Sequence, residues 1–161
     1  MQIITLGDEI LRQRALPVVD IDGATVALAK DMIEAMRIGR GVGLAGPQIS
    51  ELKRIFVTQI DGDVARVFIN PSIIETSPEL AEYEEGCLSI PGMYADVTRP
   101  ASVRVQAWNE RGRPFTLDAE GFLARVILHE YDHLEGTLFI DRLSEAKRNR
   151  VLSLYEKKQR A

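Results

Sequence analysis

The residues best suited to chemistry lie in one short run, His129-Glu130-Tyr131-Asp132-His133. If this run is helical, residues four apart share one face with their Cβ atoms about 6 Å apart, so both imidazoles can bind one metal ion. Glu130 then points beside the ion, where a base must lie to take a proton from a water molecule. Since these are the only histidines in the chain, the run predicts a metal-dependent hydrolase with Glu130 as general base.

A catalytic metal site of this type needs a third protein ligand and one open position. The metzincin pattern has a third histidine at the place of Phe139, which cannot bind a metal. A glutamate on a following helix could serve instead, here Glu145 or Glu156, and so could Cys87, the only cysteine. Because a free cysteine is often just a small buried hydrophobe, spacing alone leaves the third ligand open.

Hydrophobic periodicity indicates the elements that must position these residues. Helical spacing predicts helices at 24–38, at 121–134, which includes the histidine motif, and at 144–158. Runs rich in β-formers predict one hairpin with strands at 54–60 and 64–69 and another at 102–108 and 114–117. Strands in the middle and helices at the ends predict an α+β fold, with mixed or antiparallel strands packed around the central metal-binding helix.

Length and composition narrow the class of protein. A chain of 161 residues, 45% of them hydrophobic, fits a single catalytic domain spanning 1–161. The formal net charge of −4 argues against direct DNA binding. No stretch approaches the roughly 20 apolar residues of a membrane span, and residues 1–7 do not have a signal-peptide pattern. The single cysteine excludes an internal disulfide and suits a reducing cytoplasm.

A glycine-rich segment, GVGLAGPQ from Gly41 to Gln48, is predicted to be a structured loop. Its glycines allow the backbone to approach a substrate closely. Gln48 offers a neutral amide donor, which suits negative charge that appears only in a transition state. A single glutamine in a loop is more commonly a surface residue, but the flanking glycines favour a place for Gln48 in a cleft.

Three segments in this order, GVGLAGPQ, EGCLSIP and HEYDHLEG, closely resemble the signature motifs of peptide deformylases. The resemblance covers nearly the whole chain, including the helix before the glycine loop, the central strands and the C-terminal helix. Three motifs in order are far more specific than one. Peptide deformylases remove the formyl group from the N-terminal formyl-methionine of new bacterial polypeptides and release formate, so the resemblance implies this hydrolase activity, which belongs to protein biosynthesis.

The resemblance also implies a role for each motif residue. It implies Cys87, His129 and His133 as metal ligands and Glu130 as the base. Gln48 and the backbone N–H of Leu88 would bind the oxyanion. The expected substrate contacts are Gly41, Val42, Gly43 and Leu44 in the loop, and Phe122 and Val126 on the ligand-bearing face of the central helix.

The same resemblance suggests the metal and the partners. Sulfur with two nitrogens suits Zn²⁺, but peptide deformylases commonly use Fe²⁺, which Ni²⁺ or Co²⁺ can replace. N-formylmethionyl nascent peptides are the implied substrates. The C-terminal helix is either a solvated face or, as the family implies, a surface that docks on the ribosome. Its cations are Lys147, Arg148, Arg150, Lys157, Lys158 and Arg160, against Glu145 and Glu156.

Two alternatives remain. One is a metallopeptidase whose third ligand is a glutamate. The other is a degenerate or secondary deformylase with narrowed activity, because the loop departs from the family pattern at Arg40 and Gly46. Arg125, one helical turn before His129, either rims the substrate pocket beside an acidic group or extends to solvent.

Overall fold

Three α-helices frame the fold in a computed structural model that describes all residues from Met1 to Ala161. They are α1 (Gly23–Ile38), α2 (Gly121–Leu134) and α3 (Glu145–Arg160), and each agrees with its sequence prediction to within two residues. Short 3-10 helices occupy Glu9–Arg12, Gly46–Ile49 and Phe139–Arg142. No helix combines the length and apolar character that crossing a membrane requires.

Seven strands form two separate sheets. The larger sheet has the order β1-β2-β3-β6-β7 and the smaller one pairs β4 with β5. All of these ladders are antiparallel, which confirms the predicted α+β class. The strands are β1 (Gly43–Ala45), β2 (Ile55–Thr58), β3 (Arg66–Thr76), β4 (Leu80–Cys87), β5 (Ile90–Pro100), β6 (Ser102–Trp108) and β7 (Pro114–Glu120).

Both hairpins expected from the sequence are present as β2–β3 and β6–β7, although β3 and β7 extend further than predicted. Alternate side chains of β6, namely Val103, Val105 and Ala107, are buried, because successive residues of a strand face opposite sides of the sheet. They belong to one core cluster with Ile127 and Leu134 of α2. The sheet therefore holds the helix that carries the histidine motif.

The hairpin of β4 and β5 was not predicted, although it carries Cys87. The sequence of β4, LAEYEEGC, contains three glutamates and a glycine, and β5 contains Pro91 and Gly92, so neither has a typical strand composition. Tertiary contacts stabilise the hairpin instead, since Ile90 and Val97 pack in a separate cluster with Val151 of α3. This packing fixes the end of β4 against α2.

The glycine-rich segment is more regular than the predicted loop. Gly43–Ala45 forms the edge strand β1, which pairs with β2, and the 3-10 helix at Gly46–Ile49 follows directly. Gly46 has no room for a side chain, because an added Cβ would lie 2.6 Å from the carbonyl oxygen of Glu51 and 2.7 Å from that of Lys53. This departure from the family pattern thus follows from close backbone packing.

Candidate metal centre

Cys87, His129 and His133 converge on one point between the end of β4 and α2. Their ligand atoms all lie within 4.8 Å of one another, and Cys87 Sγ is 3.3 Å from His133 Nε2. Both histidines are buried and the cysteine is partly buried. A thiol and two imidazoles that share one small volume fit a transition-metal ion.

The other candidates for a third ligand are elsewhere. The ring of Phe139 stacks on His129 with ring centroids 6.0 Å apart, so the position of a metzincin histidine is used for packing. Glu145 and Glu156 are exposed on α3 and are not part of the cluster. Of the three residues that the sequence offered as third metal ligand, only Cys87 lies beside the histidines.

Glu85, two residues before Cys87, determines how His129 presents its ring. Its Oε1 lies 2.8 Å from His129 Nδ1, and its two oxygens accept from Arg99 Nε at 2.7 Å and Nη2 at 3.1 Å. Burial alone would raise the pKa of Glu85, but hydrogen bonds from His129 and Arg99 lower it well below its usual range. The carboxylate is therefore ionised and accepts the Nδ1 proton, which leaves the Nε2 lone pair for a metal.

The ion pairs extend from Glu85 along the back of the site. Arg99 Nη1 donates to Asp132 Oδ2 at 2.8 Å, and Arg142 forms two further bonds to Asp132, at 3.1 and 2.8 Å. Local sequence patterns did not predict these pairings, because the partners lie on different elements. The only available signal was general: a histidine that binds a metal usually donates its second N–H to a carboxylate or carbonyl.

Arg125 is also part of this buried network. Its Nη1 donates to Glu85 Oε2 at 2.6 Å and to the Val97 carbonyl at 3.0 Å, while its Nη2 donates to the Ala81 carbonyl at 2.8 Å. The guanidinium also lies 5.0 Å from the ring centroid of Tyr83. Of the two alternatives for Arg125, pairing with an acidic group is therefore the one observed.

Burial and neighbouring charges shift the two histidines in opposite directions. Burial lowers the pKa of His133, so its imidazole stays neutral and able to bind a metal. Burial also opposes a charge on His129, but the carboxylate of Glu130 and the thiol of Cys87 outweigh it and raise the pKa. A metal ion at His129 Nε2 would therefore compete with a proton for the lone pair.

Glu130 lies beside the cluster. Its Oε2 is 3.9 Å from His129 Nε2, while its Oε1 is buried without a hydrogen-bond partner. Burial raises the pKa of Glu130 to about 7. Gly43 makes room for this side chain, because a Cβ added there would lie 2.5 Å from Glu130 Oε2. Glu130 is thus held close to the cluster with one oxygen available for a proton.

Gln48 and Leu88, which each carry a hydrogen-bond donor, both lie beside the cluster. The amide of Gln48 is fixed, since its Oε1 accepts from Ala45 N at 2.9 Å and its Nε2 donates to Ser89 Oγ at 3.0 Å. The same Nε2 lies 3.5 Å from Cys87 Sγ. The backbone N–H of Leu88 donates to no backbone acceptor. Gln48 is therefore a buried residue beside the cluster and not a surface residue of a loop.

A cavity of about 420 Å³ opens onto the cluster. Five of the six predicted substrate contacts line it, namely Gly41, Val42, Gly43, Phe122 and Val126. The sixth, Leu44, turns its fully buried side chain into the core formed by α1 and the sheet. The predicted contact of Leu44 with a substrate would therefore involve its backbone and not its side chain.

Comparison with known proteins agrees with this geometry. The model of the polypeptide deformylase family matches residues 1–149. Peptide deformylase 1 of Clostridium perfringens is 55% identical over 135 residues, which cover 83% of this chain and 91% of that protein. The peptide deformylase of Treponema pallidum (strain Nichols) is 46% identical over 155 residues, which cover 96% of this chain and 95% of that protein.

Solved structures of peptide deformylases superpose on nearly the whole chain. The peptide deformylase of Legionella pneumophila superposes with a TM-score of 0.93 at 42% identity, covering 99% of this chain and 95% of that one. The peptide deformylase of Ehrlichia chaffeensis in complex with actinonin gives a TM-score of 0.94 at 36% identity, covering 100% and 98%.

Fold and site together define a metal-dependent amide hydrolase. The chain belongs to the polypeptide deformylase family. It is thus a hydrolase that removes the N-formyl group from the N-terminal methionine of newly synthesised polypeptides, and the metallopeptidase alternative is not favoured.

Replacing Glu85 with Gln should weaken metal binding by about 10- to 100-fold, because a neutral amide holds the His129 N–H less firmly. The free energy of unfolding should also fall by about 3–5 kcal/mol, since Arg99 and Arg125 lose their shared buried carboxylate. Chelator competition and denaturant unfolding measure the two effects. Glu84→Gln, at the exposed neighbouring position, is the matched control. Equal metal affinity in both variants would contradict the orienting role of Glu85.

Proposed function

We propose that Cys87, His129 and His133 hold the metal ion of this deformylase, with Glu130 as the proton carrier. The observation that supports this best is the close approach of the three donor atoms in a cavity that also contains Glu130. A bound ion would supply a Lewis acid that polarises the formyl group and activates water. We also propose that residues 1–161 act as one catalytic domain, since α3 packs on β5 beyond the matched region.

Glu130 moves the proton in two directions in this proposal. Its carboxylate accepts a proton from water in the cavity, and the same carboxyl then donates it to the departing amine nitrogen. A pKa raised to about 7 by burial suits both transfers near neutral pH. Gly43 keeps space for the carboxyl, so the loop and α2 together fix its position.

Gln48 Nε2 and the Leu88 N–H bind the oxygen of the formyl group as it becomes negative. Gln48 is suited to this role because its amide is already oriented by Ala45 and Ser89 before any substrate arrives. The Leu88 N–H, which donates to no backbone acceptor, is the second donor. Donors that bind this oxygen only as its charge develops stabilise the transition state more than the ground state.

The substrate, an N-formylmethionyl peptide, binds along β1 in this proposal. β1 is an edge strand, so one side of its backbone can pair with an extended peptide. The methionine side chain then enters the part of the cavity lined by Phe122 and Val126 on α2. Gly41 and Val42 contact the peptide at the mouth of the cavity.

Replacing Glu130 with Gln should lower formate release from formyl-Met-Ala by at least about 100-fold, because an amide cannot accept and return the proton. Metal content, measured by elemental analysis, should be unchanged, since Glu130 is not among the three ligands. Loss of metal in step with activity would contradict the role of Glu130 as a base. Retained activity would do so as well.

We propose Fe²⁺ as the native ion, by similarity to the family rather than from the donor set. Ferrous iron beside the Cys87 thiolate oxidises in air, so formate release should decay in aerated buffer and persist under anaerobic conditions. Protein loaded with Ni²⁺ or Co²⁺ should stay active in air. A zinc-loaded protein with the same activity and stability in air would contradict the iron proposal.

We further propose that the enzyme works in the cytoplasm, close to emerging polypeptides, and that α3 docks on the ribosome. α3 anchors to the protein through buried Val151 and Tyr155, while Lys147, Arg150 and Lys157 remain exposed. A row of free cations suits the phosphates of ribosomal RNA.

Changing Lys147, Arg150 and Lys157 together to Glu should reduce co-sedimentation with ribosomes, because the three cations no longer contact phosphates. Formate release from formyl-Met-Ala should be unchanged, since all three residues lie outside the cavity. Unchanged co-sedimentation at low salt would contradict the docking proposal and leave the deformylase activity unaffected.

A further inference from the structure

Arg40 adopts a backbone conformation that an arginine rarely takes. It follows the C-cap of α1 with a φ of +58°, at the position where helices most often have glycine. The turn is closed by bonds from Arg40 N to the Arg37 carbonyl at 3.0 Å and from Gly41 N to the Met36 carbonyl at 2.9 Å. The helix end itself therefore favours glycine at this position.

Glycines do occur on both sides of Arg40, but they serve a different purpose. An added Cβ would lie 3.2 Å from Leu88 Cδ1 at Gly39 and 2.8 Å from the same atom at Gly41. Gly39 and Gly41 thus allow Leu88 to approach the loop. The left-handed residue between them, Arg40, carries a long cationic side chain and is exposed.

Arg40 is an exposed residue of the cavity lining, which puts it at the mouth of the substrate cavity. Arg40 lines this cavity, is exposed, and forms no salt bridge with any carboxylate of the protein. Strain retained at a binding site commonly reflects function. A free guanidinium at this place can therefore bind a group that arrives with the substrate.

The charges around the mouth favour an anion. The charged residues deeper in the cavity are Glu85, Arg125 and Glu130, all buried. At the surface, Glu84 is the one exposed acidic residue that lines the cavity. Lys158 of α3 adds a second cation, because its Nζ lies against Gly92, where an added Cβ would collide with it.

We propose that Arg40 is a specificity-determining residue that favours formylated peptides with a carboxylate side chain shortly after the methionine. A guanidinium pairs with a carboxylate through two parallel hydrogen bonds. The formyl-methionine occupies the interior of the cavity, so the residues that follow it pass the mouth where Arg40 stands. This inference rests on the proposed binding of the peptide along β1.

The test compares kcat/KM for three peptides, formyl-Met-Asp-Ser, formyl-Met-Ala-Ser and formyl-Met-Lys-Ser, all amidated at the C-terminus. The wild-type enzyme should prefer the Asp peptide over the Lys peptide by about two- to five-fold, as an exposed ion pair allows. The preference should appear in KM rather than kcat and should shrink at high ionic strength.

Arg40→Gly should abolish the preference while raising the thermal midpoint, because glycine adopts a positive φ without strain. The loss can then not be attributed to unfolding. Arg40→Lys should retain part of the preference for the Asp peptide. Arg37→Gln is the matched control, since Arg37 lies at the same helix end, donates to Gln59 Oε1 at 2.9 Å and does not line the cavity. This variant should keep the wild-type preference.

The proposal is overturned if the wild-type enzyme does not discriminate among the peptides. It is also overturned if Arg40→Gly keeps the preference, which would direct attention to Lys158. In both cases the three peptides still release formate. Failure of the proposed function is distinguishable, because formate would then be released from none of them.

Discussion

One buried carboxylate, Glu85, joins the elements that make up the metal centre. It accepts hydrogen bonds from His129 on α2, from Arg99 on β5 and from Arg125 one turn before His129. A carboxylate is costly to bury unless its oxygens are fully paired, and here cationic donors approach both of them. The β4–β5 hairpin is therefore tied to α2 at the place where Cys87 must meet the histidines. The Glu85–His129 bond also fixes the tautomer of His129. The contact that joins the hairpin to α2 therefore also orients one metal ligand.

Four glycines shape the site by leaving space that side chains from other elements fill. Gly43 leaves the space that Glu130 fills, and Gly39 and Gly41 leave the space for Leu88. Gly86 does the same for Tyr94, whose ring would lie 2.5 Å from an added Cβ. The glycines of the first two motifs are therefore places where another element comes into close contact, and conformational freedom is secondary at these positions. This explains why motifs far apart in the chain depend on one another.

Local patterns in the sequence predicted the elements whose stability is local. The helical spacing of α2 and the turn residues of β2–β3 and β6–β7 gave these elements correctly. The β4–β5 hairpin was missed because packing against α3, and not strand composition, stabilises it. The histidine motif predicted a metal, but the approach of Cys87 and the pairing of Glu85 with Arg99 are long-range contacts that no spacing rule gives. For the third ligand, the resemblance of whole motifs carried information that the residue types alone did not.

The most direct test of the centre formed by Cys87, His129 and His133 is an anaerobic titration of metal-free protein with Fe²⁺, with formate release from formyl-Met-Ala as the readout. Activity should rise in proportion to added iron and stop rising at one ion per chain, and Cys87→Ala should show no such rise. Formate release by the metal-free protein, or an unchanged titration in Cys87→Ala, would contradict this assignment.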